Sequence, residues 1–268
     1  MLRNWLSDYL RWRGLNGVLL YFIHRLKHFF ASKNQLFTVR DNYGGKVFLR
    51  SKTSDIRTFR NVVVQDQFLL PGQIQDYLTK RYVEILTEGM LPIIIDGGAN
   101  IGLTACIFAN QYPDAQIIAV EPNEPNYNLA KINCSPYLNI QLIQAAIWDC
   151  NEALEVIDPA SDEWGYQFQQ SKDNHSLSYV HGLTIDEILS KKSNAILFLL
   201  KLDIEGAEAR VLRDKGQWWA TTPALLVEPH DYREGQSNGI GGIMVQPSYQ
   251  TGNVFICGES LIFLPGKN

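Results

Sequence analysis

The segment Pro92-Ile93-Ile94-Ile95-Asp96-Gly97-Gly98-Ala99-Asn100-Ile101-Gly102 limits the fold more than any other part of this chain. Three isoleucines ending on an acid read as a strand buried on both faces, and such strands belong to parallel sheets covered by helices. The glycines behind it permit a sharp turn and a close backbone approach. A helix is predicted over Ile101–Asn110, with its first amides unpaired at the turn. The same alternation continues through strand Gln116–Val120, a helix after Pro125, strand Ile140–Ala146, helix Thr184–Lys191, strand Ala195–Leu202, a helix from Gly206 and strand Ala224–Glu228. Val254–Cys257 and Leu261–Leu264 flank Gly258-Glu259-Ser260 and predict a closing antiparallel hairpin. The fold class is therefore α/β with a mostly parallel sheet.

Upstream, Leu36–Arg40 and Lys46–Arg50 around the turn-rich 41–45 predict a β-hairpin. Thr53-Ser54-Asp55 can cap a short helix, and Gln73–Glu88 has helical spacing. Three parts follow: a basic amphipathic helical extension over 1–35, a hairpin-and-helix layer over 36–91, and the sheet domain over 92–268. The polar stretch Ser161–His181 reads as a surface excursion, so His175 and His181 receive no role, and the glycine-rich 232–252 does not read as a regular helix.

With 46% apolar and 19% charged residues among 268, global disorder is excluded. Cys106, Cys134, Cys150 and Cys257 have no C-x-x-C spacing, which excludes a zinc ribbon and a disulfide-dense secreted scaffold. A reducing, cytoplasmic compartment is expected. The net charge of -4 hides a split: residues 1–40 carry seven Lys/Arg against the single acid Asp8, a net +6, which leaves -10 for the rest. That acidic bulk argues against a nucleic-acid partner.

Leu2, Trp5, Leu6, Tyr9 and Leu10 share one helical face, and a second apolar cluster runs from Leu15 to Ile23. The uninterrupted apolar stretch Val18–Ile23 is far short of the ~20 residues a spanning helix needs. Charged flanks and the want of a small-residue cleavage site also make a poor signal peptide. Two readings stay open for 1–30: an interfacial helix giving peripheral contact at the inner face of a membrane, or a helix packed on its own domain or on a partner.

Glu121 follows Gly102 by 19 residues, at the end of the second sheet strand. An acid there can accept hydrogen bonds from both hydroxyls of a ribose, so strand, glycine turn, helix, strand and acid together point to a nucleoside ligand. Asn100 stands where the dinucleotide fingerprint wants a glycine, which disfavours a nicotinamide oxidoreductase. Gln144-Ala145-Ala146-Ile147-Trp148-Asp149 ends the third strand with small residues that leave a slot for a flat base. Lys201-Leu202-Asp203-Ile204-Glu205-Gly206-Ala207-Glu208 places carboxylates at a strand end. Asp203 is aimed at the crevice, and Glu208 is read as a first-turn helix acid.

Asp96–Gly102, Glu121-Pro122-Asn123, Thr184-Ile185-Asp186, Lys201–Glu208 and Glu228-Pro229-His230, in that order, resemble the FkbM family of S-adenosylmethionine-dependent methyltransferases, and Thr53-Ser54-Asp55 resembles its opening motif. The resemblance implies a seven-stranded Rossmann-like class I methyltransferase sheet. It also implies S-adenosyl-L-methionine as cofactor and O-methylation of a hydroxyl, often on a sugar of a glycan or glycosylated metabolite. On this reading Asp96, Gly97, Gly98, Ala99, Asn100, Gly102, Glu121, Pro122, Asn123, Ala146, Ile147 and Asp203 hold the cofactor. His230 is the candidate base for the acceptor hydroxyl, oriented by Asp203 or Glu228. Asp203, Glu205, Glu228 and His230 offer metal ligands, but no catalytic metal is expected. A small-molecule or glycan acceptor is the expected partner, and the oligomeric state is left open. A cofactor-binding but inactive partner of a glycan assembly enzyme is the alternative outside catalysis.

Overall fold

The computed structural model describes residues 2–156, 168–170, 179–213, 216, 218–230 and 252–265. The chain divides into two compact units, Met1–Leu69 and Leu70–Asn268.

The first unit opens on helix α1 (Leu2–Phe30), which bends where Arg13 and Gly14 leave helical geometry. The elbow turns the first segment back on the second. Tyr9 is fully buried, its hydroxyl lies 3.1 Å from His24 Nδ1, and its ring meets Tyr21 edge-on. A Cβ at Gly17 would lie 1.8 Å from the Tyr9 carbonyl oxygen, so this crossing requires glycine. Strands β1 (Leu36–Arg40) and β2 (Lys46–Arg50) pair antiparallel as expected. The Asp41 carboxylate closes their turn by accepting from the amides of Tyr43 and Gly45. Helix α2 (Asp55–Phe59) runs into one π-helical turn, Arg60–Val64. Ser54 makes no side-chain cap; instead fully buried Asp55 grips the Arg50 guanidinium at 2.7 and 3.0 Å and its backbone amide at 2.7 Å. The acid of the opening motif thus ties helix to hairpin.

The second unit begins with α3 (Gly72–Thr87), which buries Ile74, Leu78, Tyr82 and Ile85. Then come β3 (Leu91–Gly97), α4 (Leu103–Gln111), β4 (Gln116–Val120), α5 (Glu124–Cys134) and β5 (Ile140–Ile143). Short strands β6 (Ala146–Ile147), β7 (Ala153–Val156), β8 (Phe168–Gln170) and β9 (Tyr179–Leu183) form a separate sheet. After α6 (Ile185–Ser190), β10 (Ala195–Leu202), α7 (Glu208–Val211), α8 (Trp218–Thr221) and β11 (Ala224–Val227), the hairpin β12 (Asn253–Cys257) and β13 (Ser260–Leu264) completes the unit.

Seven strands lie in the order β12-β13-β11-β10-β3-β4-β5, with β11, β10, β3, β4 and β5 parallel and the final hairpin antiparallel. This is the expected Rossmann-like sheet. Ile93, Ile95, Ile118, Leu200, Leu202 and Val227 belong to one core cluster with α6 and the stacked rings of Trp218 and Trp219. Tyr82 and Tyr112 meet Phe198 at ring distances of 5.6 and 5.0 Å, which joins α3 and the end of α4 to the sheet. The α4 helix is buried from Leu103 to Ala109, as befits a helix apolar on all sides.

Several elements differ from expectation. The strand expected over Ile140–Ala146 ends at Ile143, and Ala146–Ile147 pair in parallel with Gly182–Leu183 in the small sheet. That sheet also takes in part of the supposed surface excursion, where exposed His181 sits on β9. The helix after Gly206 is only four residues long. His175 and residues 232–251 lie outside the described residues.

Candidate functional site

The strand order reverses between β3 and β10, which places a crevice at the carboxyl ends of the parallel strands. Parallel register sets Leu202 beside Gly97 and Val227, and Gly97 beside Val120. Four loops therefore leave the sheet at one level: the glycine turn, Glu121–Asn123, Asp203–Gly206 and Glu228–His230.

The glycine turn fits tightly against the Asp203 loop. Gly98 has φ +74°, and a Cβ there would lie 1.8 Å from the Asp203 carbonyl oxygen. The Asp203 amide in turn donates to the Gly97 carbonyl at 3.2 Å. Ile147 packs beside Gly97, its Cγ1 3.2 Å from where a Cβ would stand, so the residue expected beside the cofactor is next to the turn although it belongs to the second sheet. Ala146 is buried in a small cluster with Trp148 and Leu154.

Three consecutive turn amides are paired within the protein. Those of Gly98 and Ala99 both donate to the Val120 carbonyl at 3.0 Å, and that of Asn100 donates to Glu121 at 2.7 Å. The other Glu121 oxygen accepts from the Asn123 amide at 2.9 Å. Burial pushes the Glu121 carboxyl up to about 7, against the pull of those two amides and Lys201. Glu121 thus fastens the turn to the end of β4 and presents a carboxyl of near-neutral pKa. The side chain of Asn123 caps α5 by accepting from the Asn126 amide at 3.0 Å, so its oxygen is committed to the helix. Pro122 lies between these two positions, partly buried.

Beneath the turn lies a pair that the strand pattern did not single out. Lys201, in a strand otherwise apolar from Ala195, sends its ammonium to within 3.0 Å of the Asp96 carboxylate and 3.5 Å of Asp203. It also donates to the Gly98 and Gly97 carbonyls at 3.0 and 3.3 Å. Burial opposes its charge, but Asp96 and Asp203 outweigh burial and hold it protonated, above the ordinary lysine value. Asp96 exposes nothing. It anchors Lys201 and through it two turn carbonyls.

On the β11 side, the nearest ligating atoms of Asp203, Glu228 and His230 all lie within 4.8 Å of one another, close enough for one cation. Asp203 is the open member, with 32% of its side chain exposed. His230 is 5% exposed. Its Nδ1 is 2.9 Å from Glu208 and its Nε2 is 3.5 Å from Glu205. Burial alone would lower the imidazole pKa, but the Glu208 hydrogen bond and the charges of Glu208, Glu205 and Asp203 raise it to about 9. That shift favours the charged imidazole, whereas a base for the acceptor hydroxyl acts in its neutral form. Glu228 is raised to about 7, by burial first and then by the neighbouring Asp203 and Glu259.

The orienting partner of His230 is Glu208, rather than the Asp203 or Glu228 expected. Glu208 does open α7, but its carboxylate turns back to accept from the amides of Ile204 and Gly206, both at 2.9 Å, besides holding His230. It fixes the loop in which Glu205 and Gly206 take positive φ values of 57° and 107°. The available signals were the lone lysine in an apolar strand and the second acid after Glu205-Gly206.

Residues 96–246 match the Methyltransferase FkbM domain. The match takes in every expected site residue; Thr53–Asp55 precede it. The 2-O-methyltransferase NoeI of Sinorhizobium fredii is 26% identical over 174 residues, covering 58% of this chain and 71% of that protein. Among solved structures, a caffeoyl-CoA O-methyltransferase candidate from Staphylococcus aureus shares 14% identity at a TM-score of 0.42, covering 80% of this chain and 94% of its own. TrmK of M. capricolum, in complex with S-adenosyl-homocysteine, shares 8% at 0.37, covering 74% and 70%. The domain match spans more than half of the sequence and coincides with the crevice-forming loops: the chain belongs to the FkbM methyltransferase family.

Proposed function

We propose that the chain is an S-adenosylmethionine-dependent O-methyltransferase whose acceptor is a hydroxyl of a sugar in a glycan or glycosylated metabolite. The observation that carries the cofactor reading is the fate of the turn amides. A pyrophosphate cofactor needs free amides at a glycine turn, whereas those of Gly98, Ala99 and Asn100 are already paired within the protein. Such a turn suits a nucleoside without phosphates. Glu121 stands at the end of the adjoining strand with a carboxyl able to accept from ribose hydroxyls, and Ile147 supplies an apolar wall. When bound, S-adenosylmethionine supplies an electrophilic methyl on a cationic sulfur. Around the β10 and β11 ends, Asp203, Glu205, Glu208 and Glu228 outnumber the cations Lys201 and His230, an excess suited to that charge.

For the transfer itself, the chain must hold the acceptor oxygen in line and accept its proton. Glu228, with its carboxyl near 7, is half ionised at neutral pH and takes the proton in this reading. Charged His230 keeps the Glu228 loop registered against Glu208 and Glu205. Oxygen as the acceptor atom is supported by the name of the Sinorhizobium relative, and the sugar by the resemblance to a family that often methylates glycan hydroxyls. The test is transfer of labelled methyl from S-adenosylmethionine to a panel of free and lipid-linked sugars, with the product located by NMR. An O-methyl sugar is expected. Methylation only at nitrogen or carbon, or none across the panel, would overturn the reading.

A further inference from the structure

We infer that the outer face of the second segment of α1 is a docking surface for an anionic membrane. Leu15, Leu19, Phe22, Leu26, Phe29 and Phe30 are 52% to 84% exposed. At 100° per residue they fall within an arc of about 100°, along roughly 22 Å of helix. Isolated apolar residues are ordinary on a protein surface; a continuous stripe is not. The opposite face already has its partners, since Gly17, Tyr21 and His24 are buried around Tyr9. The two readings left open for residues 1–30 therefore separate along the chain: the segment before the elbow packs inward around Tyr9, and the segment after it carries an exposed stripe.

Charge decides between a lipid surface and a second copy of the chain. Arg25 and Lys27 flank the stripe on its two sides, both exposed, with exposed Lys33 just beyond the helix. No acid occurs between Asp8 and Asp41 in the sequence, and Asp8 is paired with Arg60. Two copies meeting along this face would bring basic rows together without a counter-charge. A headgroup layer of anionic phospholipid supplies that counter-charge, and its acyl boundary accepts the leucines and phenylalanines. His24 adds no charge, because burial lowers it to about 4. No helix among the described residues is long and apolar enough to cross a membrane, so the contact is parallel to the surface.

The test is co-sedimentation of the full chain with phosphatidylcholine vesicles, with and without about one third phosphatidylglycerol, alongside light scattering without lipid. Binding is expected with the anionic vesicles and should weaken as salt is raised. Leu19→Glu with Phe22→Glu should lower vesicle affinity more than tenfold. Arg25→Gln and Lys27→Gln should each lower it roughly fivefold. All four positions are exposed, so thermal unfolding should match the wild type and confirm that the variants fold. A wild-type chain left in the supernatant at low salt would overturn the proposal, as would variants that bind equally well. A dimer without lipid that the Leu19→Glu, Phe22→Glu pair dissociates, together with no vesicle binding, would assign the stripe to self-association instead.

Discussion

Replacing Lys201 by methionine keeps most of the side-chain volume and removes the ammonium that lies 3.0 Å from Asp96. Asp96 is wholly buried and the Lys201 side chain is 7% exposed, so no water can stand in for the lost charge. Breaking a buried pair by removing one partner costs about 3–5 kcal/mol. For a unit of this size each kcal/mol lowers Tm by roughly 2–4 °C, so a drop of roughly 6–20 °C is expected. The loss carries a pH signature. Without the ammonium, Asp96 folds in its neutral form, with a pKa far above the unfolded value of about 3.9. An acid raised in this way loses stability as pH climbs from its unfolded towards its folded pKa, so the deficit of Lys201→Met should be larger at pH 8 than at pH 5. In the wild type Lys201 adds no slope in that window, because its raised pKa keeps its contribution intact. The slope from Asp96, which burial already raises, should be shallower than in the variant because Lys201 opposes the shift. Adding Asp96→Asn removes the stranded acid and should recover part of the loss and flatten the slope. Thermal unfolding followed by circular dichroism at both pH values measures all of this. A single variant melting with the wild type, or a double variant no better than the single, would mean that the buried pair does not carry this stability.

Other outcomes follow from the same geometry. If Glu228 is the base, the acidic limb of kcat/KM should fall near pH 7, and Glu228→Gln should abolish it with a loss of roughly 10²–10⁴-fold in rate; a limb near 9 would return the role to His230. Glu208→Gln should bring the His230 pKa, followed by NMR, back towards 6.5. It should also remove stability that the wild type has in full below pH 6.5 and loses as pH rises through about 9. Gly98→Ala sets a Cβ against the Asp203 carbonyl in left-handed backbone and should cost at least about 2 kcal/mol, measured by denaturant unfolding. Turnover should survive exhaustive chelation; loss restored by one divalent ion would make Asp203, Glu228 and His230 its ligands.

The sheet was legible because its strands are continuous apolar runs, a pattern that needs cover on both faces. The glycine turn was legible because Gly98 and Gly102 take φ values of +74° and +83°, conformations costly for other residues. What escaped was partner choice between segments far apart in sequence. Lys201 and Asp96 are 105 positions apart, and only parallel register makes them neighbours. Glu208 read as a helix acid because its place in α7 is local, while its grip on His230 depends on the β11 end. The protonation of His230 was hidden for the same reason: Glu205 and Glu208, which raise its pKa, come from the segment behind β10. The break between β5 and β6 has no sequence marker, since Gln144-Ala145 suits a strand as well as a crossing between sheets.

The crevice is proposed to bind a phosphate-free adenosyl cofactor through the glycine turn and Glu121. Isothermal titration of the chain with S-adenosylmethionine, S-adenosylhomocysteine and NAD, repeated with Glu121→Ala, tests it most directly. One-to-one binding of both adenosyl ligands is expected, with no heat from NAD. For Glu121→Ala, the loss of charged hydrogen bonds should weaken binding about 10- to 100-fold. Binding of NAD in preference to the adenosyl ligands, or adenosyl affinity unchanged in the Glu121→Ala variant, would contradict it.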